Sequence, residues 1–255
     1  MADLFGQRDF TVRFDWGPVG AEAMAADVAV VVDVLSFSTS VTIAVERGMR
    51  VFPYPWRGPR AEAFAAEHGA VLAMGRLEAS RSPDLLAPSL SPVALQMCRF
   101  VPRVVLPSPN GSSIAELLRA GGSIVAAGCL RNAHAIAEWL APTINAGRSV
   151  GVVAAGERWG GDDSLRPALE DHLGAGAILS ELVELGFGDR MSPEAAAAAQ
   201  LFDAASERLA DRLHQCVGGR ELIEAGFGTD VDVAAELNVS GSVPVLIDGA
   251  FRRAR

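Results

Sequence analysis

Asp27-Val-Ala-Val-Val-Val-Asp33-Val-Leu-Ser36-Phe-Ser38-Thr39-Ser40-Val-Thr-Ile-Ala-Val45 is the stretch on which the reading of this chain turns. Its first part, Val28 to Val32, is an uninterrupted apolar run, which predicts a strand buried on both faces. An acid follows at Asp33, then the hydroxyls of Ser36, Ser38, Thr39 and Ser40, and then a helical pattern that closes at Gly48. Strand, polar turn and helix in that order form the repeating unit of a parallel α/β sheet. In such a sheet the turn lies at the carboxyl end of its strand, where ligands bind, and the helix offers unpaired N–H groups to an anion.

The same unit recurs outward from this stretch. Phe10 to Phe14 alternates apolar and polar residues and predicts a first strand, and Gly17-Pro18 reads as a break. Val51 to Tyr54 predicts a strand placed near an edge because of Pro53. A helix is expected from Arg60 to His68 and a strand from Ala70 to Met74. Gly75 to Leu90, with Arg76, Arg81, Pro83 and Pro88, is a long loop of the kind that carries function. Ser91-Pro92 restarts a helix.

Val104 to Leu106 and Pro107-Ser-Pro-Asn110-Gly111-Ser112 give a second strand and polar turn, with a helix from Ser113 to Arg119. Ser123 to Ala127 predicts another strand, and Asn132 is expected to cap a helix that Pro142 stops. Ser149 to Ala154 is a further buried run, followed by a polar loop from Gly156 to Arg166 and a helix from Pro167 to Leu185. Within that helix, Gly174-Ala-Gly176 lacks bulk and admits a neighbouring backbone. Ser192-Pro193 opens an alanine-rich helix. Val243 to Ile247 is a late strand, and Phe251-Arg-Arg-Ala-Arg reads as a solvated basic end. Strands and helices alternate, which predicts a single α/β domain over residues 1–255, a three-layer α/β/α sandwich with a largely parallel or mixed sheet.

A chain of 255 residues that is 50% hydrophobic buries a large core. Its formal net charge of −9 argues against general nucleic-acid binding, which needs a basic face, but leaves room for a small anionic ligand met by local arginines. No signal core and no membrane-length apolar run is seen, so a cytoplasmic protein without membrane attachment is expected. Cys98, Cys129 and Cys216 lack any paired spacing and read as buried thiols. His68, His134, His172 and His214 show no metal spacing and read as surface or capping groups.

Asp33 does not fit the aspartyl-phosphate pattern, because the second acid expected two residues later is Leu35. It reads as a ligand for a hard cation such as Mg²⁺, or as a turn carboxylate. Ser36, Ser38, Thr39 and Ser40 read either as a phosphate cradle or as helix caps. Asn110-Gly111-Ser112 has the makings of an anion nest and also of an ordinary turn with its cap. Glu170-Asp171 opens a helix, either as ligands or as acids favoured by the helix dipole. Arg158 and Arg166 bracket the preceding loop and can neutralise a dianion. No nucleophile elbow, Walker loop or dinucleotide fingerprint is present.

Taken together, Asp33-Val-Leu with its hydroxyl cluster, Ser91-Pro92, Asn110-Gly111-Ser112, Asn132-Ala133, Ala155-Gly156 and Glu170-Asp171 with Gly174-Ala-Gly176 resemble, in order, the motifs of the 2-phosphosulfolactate phosphatase (ComB) family. Gly219-Arg220, Gly226, Asp230-Val231 and Val243-Pro244 resemble its tail. The resemblance implies the α/β/α fold of that family and a Mg²⁺-dependent hydrolysis of (R)-2-phospho-3-sulfolactate to 3-sulfolactate and phosphate, a step of coenzyme M biosynthesis. It implies Asp33, Asn110, Glu170 and Asp171 as catalytic residues, with Asp33, Glu170 and Asp171 at the metal. Ser38, Thr39, Gly111 and Ser112 become phosphate contacts.

The chain departs from the family pattern at three places. Ser36 stands where an arginine is common, Arg76 where a glutamate is common, and Glu157-Arg158 where an arginine directly follows Ala-Gly. Ser36, Arg76 and Arg158 therefore join the substrate-binding candidates as parts of a rearranged anion site. The expectation is a phosphatase acting on a small anionic organic phosphate. The rival is a non-catalytic binder of a small phosphate or sulfonate. Long apolar helices are compatible with a homodimer.

Overall fold

The structure is a computed structural model that describes residues 4–80 and 87–254, the side chains of Leu77 and Ser80 excepted. β1 (Val12–Trp16) leads into α1 (Gly17–Met24), followed by β2 (Val28–Val32), α2 (Phe37–Glu46), β3 (Arg50–Tyr54) and α3 (Pro59–Glu67). Next come β4 (Val71–Leu72), α4 (Arg76–Ser80), α5 (Pro92–Met97), β5 (Arg103–Pro107), α6 (Gly111–Ala120) and β6 (Ile124–Gly128). The chain continues through α7 (Ala133–Asn145), β7 (Val150–Ala154), β8 (Glu157–Arg158), β9 (Leu165–Arg166) and α8 (Leu169–Glu184). Four helices follow, α9 (Pro193–Ala205), α10 (Leu209–Gln215), α11 (Val217–Glu224) and α12 (Gly228–Ala234), before β10 (Pro244–Ile247) and β11 (Ala250–Arg253).

Nine strands form one sheet in the order β1-β7-β2-β6-β10-β11-β3-β5-β4. β1, β7, β2 and β6 run parallel to one another, and so do β3, β5 and β4. The antiparallel hairpin of β10 and β11 joins the two blocks. Helices cover both faces, which makes a three-layer α/β/α fold. The run from Val28 to Val32 shows why: Val28, Val30 and Val32 pack into one core with α7, α8 and α9, while Ala29 and Val31 pack into the other with α1, α2 and α6. Alternating side chains of one strand thus supply both layers.

β2 and β5 lie five strand steps apart, roughly 24 Å on a flat sheet at about 4.8 Å per step. Yet the turn after β5 touches the turn after β2, with the Gly111 N–H donating to Asp33 at 3.0 Å. The sheet is therefore strongly twisted and curled, as right-handed strand twist accumulates over many strands. α2 sits within this curl, and every residue from Phe37 to Val45 is buried. No helix of the described residues is long and apolar enough to cross a membrane.

Several expectations need correction. Gly17-Pro18 does not break the chain but starts α1, because proline suits the first helical turn. β3 lies between β11 and β5 rather than near an edge, and Pro53 is tolerated because β3 pairs with β11 only at Val51. Pro142 lies inside α7, which continues because Ile144 is buried in the core beyond it. Asn132 makes no side-chain cap; its Oδ1 accepts from the Cys129 N–H, and its amide donates to the Ala127 and Ser242 carbonyls.

The basic end is not a solvated tail. Phe251 is fully buried in β11, in the middle of the sheet. His172 stacks on Phe14 at 5.3 Å, and burial lowers its pKa. The loop after Gly75 contains α4, while its Arg81 and Pro83 lie outside the described residues. The Gly156 to Arg166 loop is the β8–β9 hairpin. Other expectations are met: the three cysteines are free and buried, and Gly176 lets α8 approach α9 so closely that an added Cβ would meet the Ala198 carbonyl.

Candidate active site

Asp33 is the hub, because three donors from two chain segments hold its carboxylate. Oδ1 accepts the Phe37 N–H at 3.1 Å, and Oδ2 accepts the Gly111 N–H at 3.0 Å and the Ser108 hydroxyl at 3.4 Å. The group is thus braced by the first residues of α2 and α6, whose amide ends favour an anion. A Cβ on Gly111 would come within 2.7 Å of Asp33 Oδ2, so only glycine permits this approach. Burial pushes the Asp33 carboxyl up, against the N–H donors and Arg76, which pull it down.

Asp171 ties two of the loops together. Its Oδ1 accepts the Val34 N–H at 2.7 Å and its Oδ2 accepts the Gly156 N–H at 2.8 Å. Since β2 and β7 are neighbours, one carboxylate on the first turn of α8 pins the turns that follow both strands. Burial first, then Asp33 and Glu170, raise its pKa well above the usual range. Glu170, also buried, faces away toward α11, against Gly218 and the Cys216 thiol, which burial and then the Glu170 charge push up to about 12.

The hydroxyl cluster is mostly turned inward. Ser38 Oγ accepts from the Asp33 N–H and donates to the Val31 carbonyl at 2.9 Å, and Thr39 Oγ1 donates to the Val34 carbonyl at 2.8 Å. Ser112 Oγ donates to the Leu106 carbonyl at 3.4 Å. Ser36 differs, because its hydroxyl meets the Arg76 guanidinium. Arg76 also bonds Asp230 from Nε at 3.2 Å, and Asp230 accepts the Ser91 hydroxyl at 2.6 Å and the Val93 N–H at 3.2 Å. A positive charge thus reaches Ser36 from α4. Burial lowers the Arg76 pKa while Asp230, Asp33 and Glu157 raise it.

Asn110 precedes α6 and donates from Nδ2 to Glu157 Oε2 at 3.0 Å. Glu157 opens the β8–β9 hairpin, and its carboxyl is raised to about 7 by burial first and then by Asp33. Arg158 points along the hairpin to Asp163 at 2.7 Å, and Arg166 lies over Trp159 at 5.8 Å from the ring centre. A cavity of about 250 Å³ is bordered by Asn110, Ser113, Glu157 and Arg158, and another of about 260 Å³ by Arg76, Ser91 and Asp230.

Asp33, Gly111, Asn110, Ser36 and Arg76 thus come together, with Asp171 as the brace behind them and Glu170 on its far side. Sequence reasoning passed over Ser108 and treated Glu157 and Asp230 only as marks of the family pattern. Glu157 had a readable signal, since it follows the β7 strand end as Asp33 follows β2. Among the described residues, no three His, Cys, Asp or Glu side chains converge to hold a metal ion. Asp171 spends both oxygens on backbone amides. Asp33 keeps lone-pair capacity on Oδ1, which has a single donor, and so fits a hard cation completed by water and substrate oxygens, the habit of Mg²⁺.

Comparison with known proteins now decides the family. A family model described as 2-phosphosulpholactate phosphatase matches residues 19–249. The chain belongs to the 2-phosphosulfolactate phosphatase family. Family members in curated collections include the 2-phosphosulfolactate phosphatase of Methanothermobacter thermautotrophicus, 28% identical over 87% of this chain and 88% of that protein. A probable 2-phosphosulfolactate phosphatase of Thermotoga maritima is 28% identical over 88% and 90%, and one of Deinococcus radiodurans 28% over 88% and 89%. This is a family of phosphoric monoester hydrolases, and the matched span includes Asp33, Asn110, Glu157, Glu170 and Asp171.

Proposed function

We propose that this protein is a Mg²⁺-dependent phosphatase whose substrate is 2-phospho-3-sulfolactate or a related 2-phospho acid. The observation that carries the reading is the Asp33 carboxylate braced by the amide ends of α2 and α6, at the carboxyl end of a buried parallel strand, in a chain of this family. Phosphoryl transfer asks for positioning and charge stabilisation more than for covalent chemistry from the protein. The α6 amino end with Asn110 and Ser113 supplies donors for the phosphoryl oxygens, and Arg76 supplies a fixed cation for the acid end of the substrate. Mg²⁺, held by Asp33 and completed by water and substrate oxygens, with Glu170 turned away toward α11, would supply Lewis-acid polarisation of the phosphoryl oxygens when bound. The backbone around Ser38, Thr39, Gly111 and Ser112, rather than their inward hydroxyls, shapes the cradle.

The rival is a binder that holds such a ligand without turnover, a reading favoured only by the displaced cation at Ser36. Phosphate release from 2-phospho-3-sulfolactate and 2-phospholactate, measured with and without Mg²⁺, separates the two. Mg²⁺-dependent turnover of either supports the phosphatase. Thermal stabilisation by both compounds with no phosphate released overturns it.

A further inference from the structure

The proposed chemistry leaves one step without a residue: the departing 2-hydroxy acid leaves as a basic alkoxide and needs a proton. We infer that Glu157 is the catalytic acid that protonates this leaving oxygen, with Asn110 as its positioning residue. The inference rests on the phosphatase reading above.

Three observations support it. Glu157 stands three residues beyond the β7 strand adjoining β2, so it is presented on the same ligand-binding edge as Asp33. It borders the 250 Å³ cavity together with Asn110 and Ser113 of the α6 amino end, and Trp16, Ile114 and Leu165 give that cavity an apolar wall. Asn110 donates its amide N–H to Oε2, so a proton carried by Glu157 sits on Oε1, which has no partner among the described residues. The amide therefore fixes both the position of the carboxyl and the oxygen that bears the proton.

The charged groups facing Glu157 are Asp33 at the end of β2, Glu170 on α8, Arg166 on β9 and Arg76 on α4. Burial, the largest influence, together with the two acids outweighs the Asn110 amide and Arg166 and raises the carboxyl, which favours its protonated form. The atoms balance simply. The bond between phosphorus and the ester oxygen breaks, its electron pair stays on that oxygen, and the Glu157 proton makes it an alcohol. Water contributes its oxygen and one hydrogen to phosphorus, and its other proton restores Glu157.

The test is Glu157→Gln, which keeps an oxygen for Asn110 but has no acidic proton. Steady-state turnover is measured on 2-phospho-3-sulfolactate or 2-phospholactate, whichever the wild type hydrolyses, and on p-nitrophenyl phosphate, whose leaving group needs no proton. The expected result is a fall of about 10²–10³-fold in kcat on the alkyl ester, with kcat on the aryl ester within about threefold. Asn110→Ala, which also removes a donor to the phosphoryl oxygens, should lower both rates, the alkyl rate further than the aryl one. Equal losses on both esters, or an alkyl rate that is unchanged, overturn the assignment while leaving the phosphatase reading intact. A wild type that releases phosphate from neither ester defeats both.

Discussion

Arg76 and Glu157 both act on Asp33, yet they are mounted in opposite ways. Arg76 is locked, its Nε on Asp230 and its terminal nitrogen on Ser36, and Asp230 is itself held by Ser91 and Val93. Among the described residues Glu157 has a single side-chain bond, to Asn110, and it sits at the root of a hairpin whose tip, Gly160-Gly161-Asp162-Asp163, is exposed. The difference follows from charge. A buried guanidinium is retained because a buried carboxylate compensates it, and removing either partner strands the other. A carboxyl left among carboxylates shifts its pKa instead and becomes a group that can gain or lose a proton near neutral pH. One flank is built to hold an anion and the other to move a proton.

The locked flank should break hardest. Arg76→Ala leaves Asp230, only 1% exposed, without its cation, and is expected to cost about 3–5 kcal/mol in urea denaturation. Arg76→Ala combined with Asp230→Asn should recover much of that loss, and no recovery would mean the pair is not the source of the cost. The brace behind both flanks comes next. Asp171→Asn offers one acceptor where two amides need one each, so it should destabilise by about 1–3 kcal/mol. A loss near zero would show that the Val34 and Gly156 turns do not depend on it.

The hairpin flank should give the smallest stability effect, and one that depends on pH. The Glu157 pKa rises from 4.5 to about 7 on folding, so between those values the native state holds more protons than the unfolded state. Its contribution therefore favours the fold at low pH and is lost as pH rises through that window. Asp33 and Asp171, both raised, act in the same direction. Glu157→Gln should melt roughly 2–4 °C higher than wild type at pH 8 and close to wild type at pH 5. A gap that is the same at both pH values would contradict the shifted carboxyl.

Much of this architecture was legible because it is local. Val28 to Val32, Asp33 and the α2 pattern are contiguous, and so are the turn and helix after β5. What local pattern cannot carry is partnership at long range. Nothing near Arg76 announces Asp230, 154 residues away, or that Ser38 and Thr39 would turn their hydroxyls to the carbonyls of Val31 and Val34. β11 was hidden for a different reason: it presents only Ala250 and Phe251 as buried residues before two arginines, too short an alternation to outweigh its charge.

The role of Asp33 in organising hydrolysis is open to direct test. Phosphate release from 2-phospho-3-sulfolactate and 2-phospholactate is compared for the wild type and Asp33→Asn at saturating Mg²⁺, with circular dichroism confirming that the variant is folded. Hydrolysis organised by Asp33 requires turnover by the wild type and a loss of at least about 10³-fold in the folded variant. Full activity in folded Asp33→Asn would contradict it.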